Sequence, residues 1–234
     1  MTELIVVSQP VELARQAAGW LDLEVSNAIA ERGSCALGVA GGRTPDPVYR
    51  ELASRSSIDW QQVEVFFGDE RAVPPDHPES NYRMVHLALL ARVPIPRRQV
   101  HRMEAERSDR EAAAREYERL LPPRLDVLLL GMGPDGHTAS LFPGSAALDE
   151  RRRLVVSVVG PKPPAERLTI TPPVIEAARK VAVIATGDDK AAMVARAIEG
   201  PFAPTVVPVQ LARGGVWFLD QAAAARLTAR RVAT

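Results

Sequence analysis

Short apolar runs rich in β-branched residues recur along the chain and alternate with longer segments in which apolar residues stand three and four apart. The runs occupy residues 4–7, 36–40, 63–67, 125–130, 154–159, 181–185 and 216–219, and the longer segments occupy residues 11–31, 45–54, 81–90, 107–121 and 190–199. Such runs are typical of buried parallel strands, and the longer segments predict the crossover helices that parallel strands need. The sequence therefore predicts the α/β class, with a mostly parallel sheet, helices on both faces and ligands beyond the carboxyl ends of the strands.

The overall composition is that of a globular protein and narrows the possible functions. Of the 234 residues, 46% are hydrophobic and 25% are charged, with no low-complexity tract or linker, so we expect one domain over residues 1–234. The 29 basic and 29 acidic side chains cancel, which disfavours non-specific nucleic-acid binding. The N-terminus lacks a basic leader, and no apolar stretch approaches about 18 residues, so we expect a cytoplasmic protein without membrane association.

A glycine pair follows the second apolar run and precedes a helical segment. Gly42, Arg43 and Thr44 stand at this junction, where Thr44 is positioned as an N-cap and Pro45 suits the first helical turn. Free amide groups and the positive end of a helix dipole suit a phosphate, and Arg43 would add a guanidinium. An ordinary strand-to-helix turn explains the segment equally well. The Gly-Lys-Ser/Thr ending of a nucleotide P-loop is missing, which argues against ATP or GTP.

Three consecutive charges, Asp69, Glu70 and Arg71, follow the third run after Gly68 and open a proline-rich loop. An isolated charged triplet is usually a solvated turn. Its position directly after a buried strand favours a place at the ligand-binding edge of the sheet.

The fourth run ends in a glycine-rich turn that presents Asp135 and His137. Its glycines also fit a dinucleotide fingerprint, but Pro143 and Gly144 would end the required helix within about two turns, and the acidic ribose ligand is misplaced. A histidine chosen at random is usually structural. His137, however, follows a strand end in the company of an aspartate, and histidine is the residue type suited to proton transfer at neutral pH, which favours a catalytic role.

Two more cations are Arg167, in the segment PKPPAERLTIT, and Lys190, just beyond a strand and near a helix start. They would complete a clamp for a dianion together with residues 42–44. Singly, each is as easily a surface charge. No pair of histidines has metal-ligand spacing, and Cys35 is the only cysteine, so we predict no metal and no other cofactor. No Gly-x-Ser-x-Gly elbow surrounds Ser140, so a serine-hydrolase triad is unsupported.

Four segments together resemble the 6-phosphogluconolactonase family: GGRTP, DERAVPPDHPESNY, GMGPDGHTASLFPGS and PPAERLTIT. The resemblance runs in order over residues 36–190. It implies a Rossmann-like fold and hydrolysis of 6-phospho-D-glucono-1,5-lactone to 6-phosphogluconate in the oxidative pentose phosphate pathway. By the same resemblance His137 would be the general base, Arg71 a catalytic or orienting cation, and Arg43, Arg167 and Lys190 the phosphate ligands. Either Asp135 or Asp69 would orient the imidazole.

Two other functions remain open on the sequence. Glucosamine-6-phosphate deaminases look similar at the acidic pair and at the histidine turn, but they carry Ile-Ala-Phe-Asn-Glu-Pro after the histidine, where this chain has residues 138–143, TASLFP. The missing glutamate and the arginine at position 71 disfavour a deaminase. A phosphosugar-sensing module would keep the cations but leave His137 without a function. The sequence does not fix the oligomeric state, and we expect a monomer that acts on a small phosphorylated lactone.

Overall fold

The structure is a computed structural model that describes residues 2–228. Within that range the strands are β1 Glu3–Val7, β2 Cys35–Val39, β3 Val63–Phe67, β4 Asp69–Arg71, β5 Val100–His101, β6 Val127–Gly131, β7 Val155–Val159, β8 Glu166–Ile170, β9 Lys180–Ala185 and β10 Val216–Asp220. The α-helices are α1 Pro10–Arg32, α2 Pro45–Ala53, α3 Asn81–Val85, α4 Arg110–Leu120, α5 Pro172–Ala177 and α6 Ala191–Glu199.

Seven strands form the main sheet in the order β1-β10-β9-β6-β2-β3-β5, and every pairing in it is parallel. Its central strands are buried at successive positions, as in Val127 to Leu130 of β6, so the sheet is covered on both faces. The apolar residues of strands and helices form one hydrophobic cluster. The α/β class and the mostly parallel sheet are therefore confirmed.

The strand order reverses at β2, and this reversal fixes where a ligand can bind. From β2 the chain moves to β3 and β5 on one side, then crosses back to place β6, β9 and β10 on the other side. The loops that follow β2 and β6 consequently leave the sheet in opposite directions and open a crevice between them. A crevice of this kind is the general ligand site of open parallel sheets.

A second, antiparallel sheet with the order β4-β8-β7 corrects two predictions. Residues 154–159 were predicted as a buried parallel strand, but β7 pairs antiparallel with β8 and most of its residues are partly exposed. Residues 69–71 were predicted to open a loop, but they form β4, which pairs with Arg167 to Thr169 of β8. Local apolar content does not distinguish these pairings, because it carries no information on the direction of a partner strand, and the partner of β4 lies almost 100 residues away.

The predicted helices are present with shifted ends. The segment 107–121 begins its helix at Arg110, because the side chain of Asp109 caps it by accepting from the Ala112 amide at 2.8 Å. The segment 81–90 is α-helical only to Val85 and continues as a π-helix. Thr44 precedes α2 as predicted but makes no side-chain cap, since its hydroxyl pairs with that of Thr186 at 3.3 Å. None of the helices in residues 2–228 combines the length and apolar character needed to span a bilayer.

Candidate active site

The crevice at the carboxyl edge of the main sheet holds a pocket of about 210 Å³. Loops after β2, β6 and β9 line it, together with β4 and β8 of the small sheet. All the predicted site residues except Asp135 line this pocket: Gly42, Arg43, Thr44, Asp69, Arg71, His137, Arg167 and Lys190. The topology thus brings together residues that are up to 148 positions apart in the sequence.

His137 and Asp135 form a hydrogen-bonded pair at the pocket wall. Nδ1 of His137 lies 2.5 Å from Oδ1 of Asp135, which also accepts from the His137 amide at 3.2 Å. Partial burial acts to raise the pKa of Asp135, but the hydrogen bond and charge of His137 outweigh it and lower that pKa below its ordinary value. An ionised carboxylate can only accept, so in the neutral imidazole Nδ1 carries the proton and Nε2 keeps a free lone pair. The pair therefore presents a base to the pocket.

Gly133 makes room for this pair within the turn that follows β6. A Cβ atom at position 133 would lie 2.1 Å from the imidazole ring and 2.7 Å from Oδ1 of Asp135. The Gly133 amide donates to the His137 carbonyl at 2.9 Å, which closes the turn. The sequence Gly-Pro-Asp-Gly-His therefore folds into a short loop that aims the imidazole outward.

Asp69 also lines the pocket but is held by other partners. Its Oδ2 accepts from the Ser140 hydroxyl at 2.6 Å, and its Oδ1 accepts from the Asn81 side chain at 3.0 Å. Of the two candidate carboxylates, Asp135 is therefore the one that contacts the imidazole. Asn81 also lines the pocket, and its buried Oδ1 has no hydrogen-bond partner within residues 2–228. Sequence reasoning assigned Asn81 only to a helix start, and no sequence signal distinguished it.

Glu70 organises the segment that carries Asn81. Its buried carboxylate accepts from the amides of Arg71, Asn81 and Tyr82 and from the Ser80 hydroxyl, at 2.7 to 2.9 Å. Burial raises the pKa of Glu70, and these four donors partly offset that rise. The negative charge sits at the N-terminus of α3, where backbone amides lack partners of their own. Glu70 thus fixes the pocket wall without facing the pocket.

Arg71 and Arg167 stand directly opposite each other on the antiparallel strands β4 and β8. Side chains at opposite positions point to the same face, and like charges there repel. The Nε atoms of both arginines are buried without a hydrogen-bond partner in the described part of the chain. Burial lowers the pKa of Arg167, and the neighbouring charge of Arg71 adds to that effect. This costly arrangement is suited to an anion bound between the two guanidinium groups.

The Phe142 ring packs against both the His137 imidazole and the Arg167 guanidinium. Its centroid lies 4.8 Å from that of the His137 imidazole, and the Arg167 guanidinium lies 5.7 Å from it. Cations over an aromatic face are stabilised by the ring quadrupole. Phe142 therefore holds two pocket residues at a fixed separation.

Arg43 and Lys190 add two more cations to the pocket lining, from the loops after β2 and β9. Arg43 is exposed and Lys190 is half-buried. Burial lowers the pKa of Lys190, Asp189 and Asp220 act to raise it, and Arg43 lowers it further. Among the described residues, no carboxylate oxygen lies within ion-pair distance of Arg43, Arg71, Arg167 or Lys190. Four unpaired cations in one crevice favour a small, multiply charged anion as the ligand.

A parallel sheet with a base and unpaired cations at its switch point defines an α/β enzyme with a site for a small anionic substrate. No cluster of His, Cys, Asp and Glu suited to a metal ion occurs in residues 2–228. The family model described as "Glucosamine-6-phosphate isomerases/6-phosphogluconolactonase" matches residues 8–218, and the chain belongs to this family.

Similar proteins carry the lactonase name. The 6-phosphogluconolactonase of Streptomyces coelicolor is 41% identical over 249 residues, covering 97% of this chain and 95% of the relative. That of Mycobacterium tuberculosis is 42% identical over 221 residues, covering 87% and 89%. The solved structure of the Trypanosoma brucei 6-phosphogluconolactonase superposes with a TM-score of 0.88 at 29% identity, covering 97% of this chain and 99% of that one.

Proposed function

We propose that this chain hydrolyses 6-phospho-D-glucono-1,5-lactone to 6-phosphogluconate in the oxidative pentose phosphate pathway, with water activated by His137. The observation that carries the proposal is the pocket in which a carboxylate-oriented imidazole faces four cations without ion-pair partners. The curated relatives named 6-phosphogluconolactonase supply the identity of the substrate.

His137 acts as the general base in the first step. Nε2 takes a proton from water as the water oxygen attacks C1 of the lactone, and Asp135 stabilises the imidazolium that forms. A lactone carbonyl is electrophilic enough that no covalent enzyme intermediate is needed. The orientation of Nδ1 by Asp135 supports this assignment, since it leaves Nε2 as the free acceptor.

The tetrahedral intermediate carries its negative charge on the former carbonyl oxygen, and the Arg71 guanidinium stabilises that charge. The bond from C1 to the ring oxygen then breaks as the carbonyl re-forms. Protonated His137 returns its proton to the ring oxygen, so the base is regenerated and the product is the open-chain acid.

The phosphate group is bound by Arg167, Lys190 and Arg43, with the amides of Gly42 and Thr44 completing the site. These groups hold the end of the substrate that does not react and align C1 with the water, so that binding energy becomes orientation. The buried Nε of Arg167 supports this role, because it has no hydrogen-bond partner within residues 2–228 and an anion could satisfy it.

Deamination of glucosamine 6-phosphate fits the pocket less well. The glutamate of that chemistry would stand at position 142, where this chain has Phe142, whose ring packs against the His137 imidazole and carries no proton to transfer. Asp69 has both carboxylate oxygens engaged, so it is poorly placed to move a proton. A sensing module would bind the phosphosugar without turnover, so a measurement of lactone hydrolysis also distinguishes that function.

The decisive assay measures acid release from lactone generated in situ, corrected for spontaneous hydrolysis, with ammonia release from glucosamine 6-phosphate measured in parallel. We expect accelerated lactone loss and no ammonia. His137→Ala should lower kcat, Arg167→Ala should chiefly raise KM, and His86→Ala, outside the pocket, should change neither. Ammonia release, or product binding without turnover, would overturn the proposed function.

The remaining properties are proposals on the same basis. The balanced charge supports a cytoplasmic enzyme that binds no nucleic acid, and the base and cations supply the chemistry without a metal or other cofactor. We also propose one domain and a monomer. Size-exclusion chromatography with light scattering tests the monomer directly.

A further inference from the structure

Asp220 ends β10 at the carboxyl edge of the main sheet, next to the loop that carries Lys190. Its side chain is buried and does not line the pocket. Both carboxylate oxygens lie 3.1 Å from the Gly187 amide, and Oδ1 also accepts from the Ala223 amide at 2.7 Å. A buried carboxylate therefore joins the end of one strand to the loop after its neighbour β9.

The loop that Asp220 holds has an unusual backbone and two contacts at the pocket. Gly187 has a φ of 97°, a conformation that residues with a side chain rarely adopt. The hydroxyl of Thr186 pairs with that of Thr44 at 3.3 Å, and Lys190 is the last residue of the 3₁₀ turn Asp188–Lys190 that follows Gly187. The position of Lys190 therefore depends on how Gly187 is anchored.

We propose that Asp220 is a positioning residue, which anchors the Gly187 amide and thereby holds the Lys190 ammonium group at the pocket wall. The proposal rests on the proposed function, in which Lys190 binds the substrate phosphate. It assigns a role in substrate binding to the segment after Gly200, in which the sequence shows no motif.

The charge of Asp220 also matters for the same lysine. Lys190 faces Asp189 on its own turn, Asp220 from β10 and Arg43 from the loop after β2, and it shares the pocket with further cations. Asp189 and Asp220 raise the pKa of Lys190, whereas burial and Arg43 lower it. A negative charge near a phosphate site would weaken anion binding if it faced the ligand. Asp220 avoids this because its side chain is buried and does not line the pocket.

A simpler role for Asp220 is to cap the turn at residues 220–224 through Ala223, which would affect stability alone. The experiment compares Asp220→Ala with Asp220→Asn, because the asparagine oxygen still accepts from Gly187 while the charge is lost. Asp126→Asn is the matched control. Asp126 is a carboxylate of similar burial at the opposite edge of the sheet, where it accepts from the Ala36 amide at 2.9 Å.

Asp220→Ala should raise KM, and the inhibition constant of inorganic phosphate, by about tenfold with little change in kcat, which corresponds to one lost hydrogen bond to a charged group. Asp220→Asn should recover most of that loss near neutral pH. The control Asp126→Asn should leave KM unchanged even if it lowers Tm. Equal KM in Asp220→Ala and the unmutated enzyme would overturn the proposal.

Lys190→Met separates this inference from the proposed function. If Lys190 binds phosphate, Lys190→Met alone raises KM, and Asp220→Ala added to it raises KM no further, because the two residues act on one interaction. An unchanged KM in Lys190→Met would refute the phosphate role of the lysine itself. A raised KM in Lys190→Met with additive effects in the double variant would leave that role intact and refute the positioning role of Asp220.

Discussion

Replacement of Asp135 by asparagine tests whether the carboxylate behind His137 contributes to turnover. The substitution keeps the size of the side chain and removes its charge, so the Nδ1 hydrogen bond of 2.5 Å loses its ionic partner. The asparagine amide also competes as a donor to Nδ1, which would place the imidazole proton on Nε2 and remove the base. Both effects act on the chemical step, and neither touches the phosphate ligands.

The geometry sets the size of the expected loss. A hydrogen bond to a charged group contributes about 1.5–3 kcal/mol. The side chains are 29% exposed in His137 and 43% exposed in Asp135, so water screens the pair and the lower half of that range applies. A transition state destabilised by about 1.5–2 kcal/mol corresponds to a kcat roughly 10 to 30 times lower. The decrease in kcat of His137→Ala sets the upper limit for the decrease in Asp135→Asn.

The assay is the initial rate of acid release from freshly generated lactone over a range of concentrations, with the spontaneous rate subtracted. Asp22→Asn serves as the control, because Asp22 accepts a hydrogen bond from Ser57 on the helical surface, away from the pocket. We expect kcat to fall in Asp135→Asn with KM within about twofold of the original. An unchanged kcat, or a loss confined to KM, would refute the role given to the carboxylate.

Three other substitutions test the surroundings of the pair. Gly133→Ala should lower kcat by about 100-fold, because the added methyl group would displace the His137 imidazole. Full activity in a folded Gly133→Ala variant would contradict this prediction. Arg167→Met should raise KM but leave Tm equal or higher, since a buried charge opposite Arg71 is removed. A Tm lower by more than about 4 °C would contradict the view that this buried charge is destabilising. Glu70→Gln should lower stability by about 2–4 kcal/mol, because an amide cannot accept from all four donors. Burial raises the pKa of Glu70, so the free energy of unfolding should fall as pH rises above about 4.5, the ordinary glutamate value. Chemical denaturation at several pH values should show this decrease in the original protein and not in Glu70→Gln.

Much of the fold could be predicted from local patterns. The main-sheet strands of three or more residues coincide with apolar runs to within about two residues, because strands buried on both faces need continuous apolar sequence. β5, which has only two residues, and β8, which begins with the charged Glu166 and Arg167, gave no such run. The predicted parallel pairing of β7 was wrong, because the direction of pairing depends on the partner strand and not on the residues of the strand itself.

Chain position also identified the candidate site residues. Each of them follows a predicted strand or begins a helix, with the exception of Arg167, and parallel strands bring their carboxyl ends to one edge. Asn81 and Asp220 were missed because nothing in their immediate sequence distinguishes a structural cap from a residue that shapes a pocket. Their significance rests on contacts with Asp69 and Gly187, each more than ten residues away.

The sequence by itself determined the class of fold and the Gly-Pro-Asp-Gly-His turn, because both follow from interactions between residues close in the chain. The tertiary structure alone decided that Asp69 is held by the distant Ser140 hydroxyl, and that Arg71 and Arg167 oppose each other across β4 and β8. These outcomes depend on which distant segments close against each other. Periodicity is encoded locally, whereas the pairing of short strands is selected by the packing of the whole core.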